Sequence, residues 1–214
     1  MRRPSTTRRH AILGMAALTA LPWTAWSVLA AESRLLEPTP SDAEGPFYPV
    51  DIPEDSDNDL LRVMGREGPA PGRLTYLHGR VMDREGQRID GARVEIWQCD
   101  HGGVYHHPGD PGTPDVSFQG FGAMVTDREG GYHFRTMRPV PYTGRTPHIH
   151  FRVTAEGFER LTTQLYVAEE RERNREDFLY QRHGGAAERV TTSFQPAGAA
   201  AGRALAARFD IVLA

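Results

Sequence analysis

Short β-type runs separated by glycine–aspartate turns constrain the fold of this chain more than any other feature. Two such turns, at residues 83–86 and 127–130, adjoin segments with alternating apolar side chains. The predicted strands cover residues 74–81, 92–97, 132–134, 148–154, 161–167 and 209–213. Short strands with this spacing are typical of sandwiches and barrels. The sequence therefore predicts an all-β fold, an antiparallel β-sandwich with long irregular loops.

The segments outside these strands carry weaker signals. The heavily charged residues 169–180 are predicted to form the one short helix, and the small residues of 196–207 a loop or frayed turn. Residues 31–72 are rich in Pro, Gly and Asp, which predicts an irregular surface segment. We therefore expect one β-sandwich domain at residues 73–214, preceded by this irregular segment.

Residues 1–30 predict an export signal. Four arginines precede an uncharged Ala/Leu-rich run that ends in small residues, and the pair Arg8–Arg9 is typical of a twin-arginine signal. The run is only mildly hydrophobic, which argues against stable membrane insertion. The prediction is a periplasmic or extracellular protein; an uncleaved segment would instead anchor it to the membrane.

The charge balance and the cysteine count exclude some classes of partner and bond. Residues 1–30 hold four of the 25 basic residues and no acidic one, so the remainder carries 21 basic against 28 acidic residues, a formal charge of −7. Nucleic acid is not expected to bind so acidic a body. Cys99 is the only cysteine, so no intrachain disulfide can form.

His148 and His150 are the first candidates for metal ligands. They are two residues apart on a predicted strand, so they project from one face, with Ile149 and Phe151 on the other. Two imidazoles on one face can close on a single metal ion, for which zinc is the usual choice. The alternative is a pair of partly exposed strand histidines without a ligand role.

Nearby tyrosines bring a different ion into consideration. Tyr142 lies just before the histidine pair in a proline-stiffened turn, and Tyr105 follows the end of a predicted strand. A phenolate is a hard anion that suits ferric iron better than Zn²⁺. His101, His106 and His107 compete with Tyr105 as ligands, or form a solvated surface loop or an adventitious Zn or Cu site. Spacing alone leaves these alternatives open.

Six blocks of sequence are more specific than the histidine pair. They cover residues 39–48, 79–83, 91–105, 126–136, 145–151 and 163–166. In this order they resemble the intradiol ring-cleavage dioxygenases, most of all the protocatechuate 3,4-dioxygenase branch. The resemblance extends over roughly residues 38–180. It departs from the family at residues 143–144, where Thr-Gly replaces the frequent Trp and Asn, which implies a wider or more mobile pocket wall.

The resemblance assigns roles to individual positions. It implies a ferric iron held by four ligands, which are Tyr105, Tyr142, His148 and His150. It implies that Arg145 flanks the substrate and that Gln164 lies beside the iron. Tyr142 is the ligand that would depart when substrate binds.

The same resemblance implies a reaction and its partners. A small aromatic diol of the catechol type and O₂ would be the substrates, and the ring would open between its hydroxyl-bearing carbons to a cis,cis-muconate-type product. A homo-oligomer is also implied. Two alternatives remain: a non-catalytic exported module that binds carbohydrate or protein, and a Zn- or Cu-dependent enzyme that uses the loop histidines with the His148–His150 pair.

Overall fold

The computed structural model describes residues 34–214, so the predicted export signal at 1–30 lies outside the described residues. The strands are β1 (Leu74–Met82), β2 (Arg93–Trp97), β3 (Phe121–Val125), β4 (Gly131–Met137), β5 (His148–Thr154), β6 (Leu161–Val167), β7 (Thr191–Thr192), β8 (Gln195–Pro196), β9 (Leu205–Arg208) and β10 (Ile211–Val212). Two short α-helices, α1 (Arg171–Glu176) and α2 (Phe178–Arg182), follow β6. Two 3₁₀ helices span Gly184–Val190 and Ala199–Ala201. Among these residues no helix is long and apolar enough to cross a membrane.

The strands form two five-stranded sheets, which confirms the predicted all-β sandwich. One sheet has the order β10-β1-β9-β8, with β4 also paired to β1, and the other has the order β3-β2-β5-β6-β7. The long pairs β1–β4, β2–β5 and β5–β6 are antiparallel, whereas the short strands β9 and β10 pair in parallel with β1, and β7 pairs in parallel with β6. The sheet that contains β5 is the one that carries the candidate site.

The main core contains apolar residues from both sheets. Leu77 and Val81 of β1 belong to the same buried cluster as Ile96 of β2 and Phe151 of β5. Because successive residues of a strand point to opposite sides, the core-facing residues of β5 leave its alternate residues to face away from this cluster. The histidines of β5 therefore lie on the side of the sheet away from the main core.

Two parts of the fold differ from the sequence-based expectation. Residues 196–207 were predicted as loop, yet β9 pairs with β1 and buries Leu205 and Ala207 in the core. Its run of small residues carries little strand propensity, and the pairing with β1 decides its conformation. Strand β3 was not predicted, although it pairs with β2 along its full length.

The predicted helix at 169–180 is interrupted. Asp177 has an extended backbone (φ −78°, ψ 120°) and separates α1 from α2. Its side chain accepts hydrogen bonds from the backbone amides of Leu179 and Tyr180, so it caps α2. The break places a buried carboxylate next to the candidate site.

Residues 34–72 have little regular structure, as predicted, but they are more than a surface segment. Leu60 is fully buried and Leu61 is 3% exposed, and both belong to the main core. The backbone amide of Leu60 donates to the carbonyl of Arg135 at 2.8 Å, and that of Asp42 donates to Thr162 at 2.8 Å. The segment therefore lies across both sheets, which brings its residues 43–48 to the candidate site.

Candidate metal centre

Two histidines of β5 form the geometric centre of the site. His148 and His150 are 2% and 1% exposed, and their Nε2 atoms lie 3.2 Å apart. Two imidazole nitrogens that are each about 2.1 Å from one metal ion would be about 3.0–3.4 Å apart. The observed separation therefore suits two ligands of a single ion, as the same-face argument predicted.

The protonation state of the pair also suits a ligand role. His148 Nδ1 lies 2.6 Å from the carbonyl oxygen of Thr146, so Nδ1 carries the hydrogen and Nε2 presents its lone pair. Burial, reinforced by nearby positive charge, lowers the pKa of His148 to about 4 and that of His150 well below its ordinary value. Both rings are therefore neutral at pH 7, which is the form that binds metals.

Tyr105 and Tyr142 complete a ring of four side chains. The Tyr105 and Tyr142 rings are 5.2 Å apart, Tyr142 is 5.6 Å from the His148 ring, and Tyr105 is 6.1 Å from the His150 ring. Tyr105 is 2% exposed, and its hydroxyl is buried without a hydrogen-bond partner among the described residues. A buried hydroxyl without a partner is costly, and coordination to a cation would remove that cost.

The loop after β2 holds Tyr105 in place. Asp100 Oδ1 accepts from the amides of Gly102 and Val104 at 2.8 and 3.0 Å, and Asp110 Oδ2 accepts from the amide of Tyr105 at 3.0 Å. Gly103 has φ +80°, a conformation that favours glycine. This geometry forms a turn at residues 100–103 and places Tyr105 in the loop that follows β2.

Tyr142 belongs to a shorter and more open turn. The amide of Arg145 donates to the carbonyl of Tyr142 at 2.8 Å, and Gly144 inside the turn has φ +73°. Burial raises the pKa of both phenols, that of Tyr105 well above its ordinary value. Ionised phenolates at this site therefore need a cation beside them.

Aromatic side chains cover the centre from the N-terminal segment and from β2. Phe47 stacks on Tyr105 with ring centroids 4.6 Å apart, and Trp97 stacks on His150 at 4.8 Å. A Cβ on Gly45 would lie 3.3 Å from Cε1 of His150, so the chain passes close to the ligand ring there. Trp97 is buried, and it packs with Tyr105 and Phe121 in a cluster separate from the main core.

Sequence reasoning assigned no role to Gly45 or Phe47. The signal that could have identified them is the Gly-Pro-Phe sequence at residues 45–47, inside a segment with little other pattern. A glycine followed by proline indicates a turn at which the backbone can approach its neighbours closely. Only the fold shows that the ring beneath Phe47 is that of Tyr105.

Arg145 and Gln164 lie together beside Tyr142. Nη2 of Arg145 donates to Oε1 of Gln164 at 2.7 Å, and Nη1 of Arg145 lies 3.5 Å from the Tyr142 hydroxyl. Nε2 of Gln164 donates to the carbonyl of Ala43 at 2.8 Å. The structure thus gathers all six sequence-predicted residues at one place, with Gln164 bonded to Arg145.

Two cavities border this centre. A cavity of about 230 Å³ is walled by Phe47, Trp97, Tyr105 and Phe121 among others. A smaller one of about 150 Å³ is bordered by Tyr142, Arg145 and Asp177. The smaller cavity gives direct access to Tyr142 and Arg145.

The loop histidines have other surroundings. His101 Nδ1 is 3.4 Å from Asp115, His107 Nδ1 accepts from the amide of Gly109 at 2.9 Å, and the His106 ring packs against Phe118. Within residues 34–214, no group of three or more His, Cys, Asp or Glu side chains could hold a metal ion. The geometry therefore does not support the Zn or Cu site that would combine these histidines with the β5 pair.

The donor set fits trivalent iron. Two tyrosine rings and two neutral imidazoles are neighbours, with ring centroids 4.7–6.1 Å apart. As phenolates, the tyrosines would supply negative charge that a hard, highly charged cation prefers. The unpartnered hydroxyl of Tyr105 and the 3.2 Å separation of the two Nε2 atoms both agree with such an ion.

The chain is similar to known dioxygenases. Residues 43–214 match a family model described as Dioxygenase. The chain is 33% identical over 156 residues to a catechol 1,2-dioxygenase of Candida albicans, which covers 64% of this chain and 50% of that protein. It is 31% identical over 182 residues to the protocatechuate 3,4-dioxygenase beta chain of Burkholderia cepacia, 80% of this chain and 77% of that protein.

The fold is also similar to solved structures. The dioxygenase domain of a dioxygenase carbohydrate-binding protein fusion from Streptomyces sp. SirexAA-E superposes with a TM-score of 0.66 at 31% identity, over 83% of this chain and 98% of that chain. The chain spans about half the length of the first curated relatives that it matches, which are catechol and hydroxyquinol 1,2-dioxygenases.

Proposed function

The chain belongs to the intradiol ring-cleavage dioxygenase family, and we propose that it is a non-haem iron(III) enzyme that opens a catechol-type ring with O₂. The ring would break between its two hydroxyl-bearing carbons, giving a cis,cis-muconate-type diacid that contains both oxygen atoms. The observation that carries this proposal is the clustering of the Tyr105, Tyr142, His148 and His150 rings, whose neighbouring centroids lie 4.7–6.1 Å apart, with the two Nε2 atoms 3.2 Å apart.

In this proposal the protein holds the metal through four side chains. Tyr105, His148 and His150 are buried and would remain bound throughout the reaction. Bound iron would act as a Lewis acid that orients the deprotonated diol and makes its ring reactive toward O₂. Phe47 and Trp97 cover the ligand rings on the protein side and exclude water, which strengthens the electrostatic interactions inside the site.

Tyr142 is the ligand that we expect to leave. It lies on an exposed turn at the smaller cavity, whereas Tyr105 is enclosed by its loop and by Phe47. When the diol binds, Tyr142 Oη would take one of its two protons and turn away from the centre, because burial makes the protonated phenol the stable form there. The second proton would pass to solvent.

Arg145 would act on the bound substrate. Its guanidinium lies beside Tyr142 and would therefore face the ring once that tyrosine has moved. A fixed cation at this place stabilises negative charge that develops on the ring, as preorganised donors do in other enzymes. Gln164 keeps the guanidinium oriented through the bond to Oε1.

Visible spectroscopy with a substrate panel tests the proposal. The purified, iron-loaded protein should be wine-red because of charge transfer from tyrosinate to iron, and the colour should change when catechol, hydroxyquinol or protocatechuate is added. O₂ uptake and identification of a ring-opened diacid would establish the reaction. A colourless protein with bound zinc would contradict the ferric centre. A coloured protein that consumes no O₂ with any diol would favour a binding module.

Export and self-association are further parts of the proposal. They rest on the twin-arginine-type residues 1–30 and on the family resemblance. Cell fractionation of the full chain, and of a variant with Arg8–Arg9 replaced by Lys-Lys, tests export. Light scattering of the purified protein tests the homo-oligomer, and a monomer at micromolar concentration would contradict it.

A further inference from the structure

Asp177, for which the sequence indicated no role, has a carboxylate completely occupied by hydrogen bonds. Its side chain is 0% exposed. Oδ1 accepts from the backbone amides of Leu179 and Tyr180 at 3.0 and 3.1 Å. Oδ2 accepts from Nε of Arg145 at 2.7 Å and from the amide of Thr146 at 2.9 Å. One carboxylate therefore joins the start of α2 to the loop that carries Arg145.

The ion pair with Arg145 keeps both groups charged inside the protein. The Arg145 side chain is only 10% exposed, so its guanidinium needs a close anionic partner. Burial alone would raise the pKa of Asp177, but the hydrogen bonds from Arg145 and from the backbone lower it below its ordinary value. The carboxylate is thus ionised whenever the protein is folded at neutral pH.

This ion pair also fixes the orientation of the guanidinium. Nε of Arg145 donates to Asp177 and Nη2 donates to Gln164, each at 2.7 Å. Because the guanidinium is planar, hydrogen bonds at two of its nitrogens fix its orientation. The remaining nitrogen, Nη1, is then directed to the Tyr142 hydroxyl, 3.5 Å away. Without Asp177, the bond to Gln164 alone would allow the guanidinium to rotate.

The same carboxylate is linked to a proposed metal ligand. The Thr146 amide donates to Asp177, and the Thr146 carbonyl accepts from Nδ1 of His148 at 2.6 Å. The Thr146 hydroxyl donates to Oδ1 of Asn174 at 2.6 Å, so Thr146 is held by Asn174 as well as by Asp177. Partners of this kind orient the groups that touch metal or substrate.

We propose that Asp177 is a positioning residue for ring cleavage, which acts by holding the Arg145 guanidinium against the substrate side of the metal centre. This inference rests on the proposed function, because it assigns Asp177 a role only through Arg145. The competing explanation is that Asp177 merely caps α2 and stabilises the fold. The two explanations differ in what happens when Arg145 is absent.

A double-mutant cycle with Asp177→Asn and Arg145→Ala separates them. In iron-loaded protein, Asp177→Asn should lower kcat by ~10- to 100-fold, as loss of an orienting partner does, with iron content and charge-transfer colour retained. In the Arg145→Ala background, the same substitution should change kcat by less than ~2-fold, because residues that act through one another are not additive. The substrate-induced colour change should persist in all four proteins.

Glu170→Gln is the matched control. Glu170 is 23% exposed and pairs with Arg138 at 2.9 Å and with Arg173 at 3.4 Å at the start of α1. The change therefore removes a more exposed carboxylate from a nearby ion pair. We expect this variant to keep wild-type kcat. If Asp177→Asn does not accumulate as folded protein, Asp177→Glu replaces it in the cycle, since it retains the charge but displaces the oxygens that hold Arg145.

The outcomes separate failure of this inference from failure of the proposed function. Equal kcat in the wild type and the Asp177 variant would overturn the positioning role while leaving the dioxygenase proposal intact. An equal loss in both Arg145 backgrounds would identify Asp177 as a structural cap only. A wild-type protein without ring cleavage on any diol would overturn both proposals.

Discussion

Tyr105 and Tyr142 meet at one point, but the segments that carry them are built differently. Tyr105 is 2% exposed, its loop is tied by Asp100 and Asp110, and Phe47 stacks on its ring. Tyr142 lies on a short turn with exposed neighbours, closed by one backbone hydrogen bond to Arg145. In the proposed reaction the two side chains therefore have different roles, because their backbones differ in freedom. Tyr105 would stay bound to the metal and Tyr142 would leave it.

Removing the fixed phenol should have the largest effect. Loss of a group that only orients a ligand costs ~10- to 100-fold in affinity or activity, so Tyr105→Phe should reduce iron content by at least that factor and abolish ring cleavage. Iron analysis and visible spectra measure this, with Tyr76→Phe, an exposed tyrosine of β1, as control. Full iron content and unchanged colour in Tyr105→Phe would mean that Tyr105 is not a metal ligand. The contrast between a fixed and a leaving tyrosine would then be wrong.

Removing the cation beside the mobile phenol should have the next largest effect. Arg145→Ala should lower kcat by ~10²- to 10³-fold, which is the typical cost of losing one preorganised donor to developing charge. Iron and colour should persist, since Arg145 is not a proposed ligand. Stopped-flow spectra with catechol would show the substrate complex forming but decaying slowly. Turnover at the wild-type rate would exclude Arg145 from the reaction.

Replacing the mobile phenol should leave the metal in place. Tyr142→Phe should retain iron through the other three ligands, shift the charge-transfer band and slow turnover by about 10²-fold, because the group that takes the substrate proton is lost. Parallel iron analysis of Tyr105→Phe and Tyr142→Phe tests the contrast between the two tyrosines. If both variants lose iron equally, the distinction between a fixed and a leaving ligand is wrong.

A matched pair of glycine substitutions should give the smallest and most local effects. Gly103 and Gly144 both have positive φ, but a Cβ on Gly103 would lie 3.1 Å from the Pro141 carbonyl, whereas Gly144 has open space. Gly144→Ala should cost about 1 kcal/mol of unfolding free energy from backbone strain alone. Gly103→Ala should cost more and also lower iron content. Thermal unfolding and iron analysis measure both, and equal costs would mean that the Tyr105 loop is no tighter than the Tyr142 turn.

The fold could be predicted where the pattern was local. The alternation along β1 and the glycine–aspartate turns indicated short antiparallel strands, and β1 pairs with β4 in this way. Strand β9 could not be predicted, because its small residues become strand only through pairing with β1. The interruption of the helix at Asp177 was also hidden, since the carboxylate leaves the helix to bind Arg145 and Thr146.

The candidate site also has features that the sequence predicts and features that only the fold shows. The two-residue period of a strand by itself determined that His148 and His150 share a face opposite Ile149 and Phe151. The ordered blocks around them indicated which tyrosines accompany the pair. These inferences need only local geometry or resemblance, so they can be made from the amino-acid sequence.

Tertiary structure decided what surrounds that pair. Phe47 reaches Tyr105 from a segment with almost no periodic pattern, and Asp177 reaches Arg145 from a broken helix. Such contacts join residues far apart along the chain, and their partners are selected by packing and by the need to satisfy buried charge, which no local pattern encodes. The sequence by itself determined the donor types and the shared face of the histidines. The fold determined which phenol is enclosed by its loop, which lies on an exposed turn, and which carboxylate pairs with Arg145.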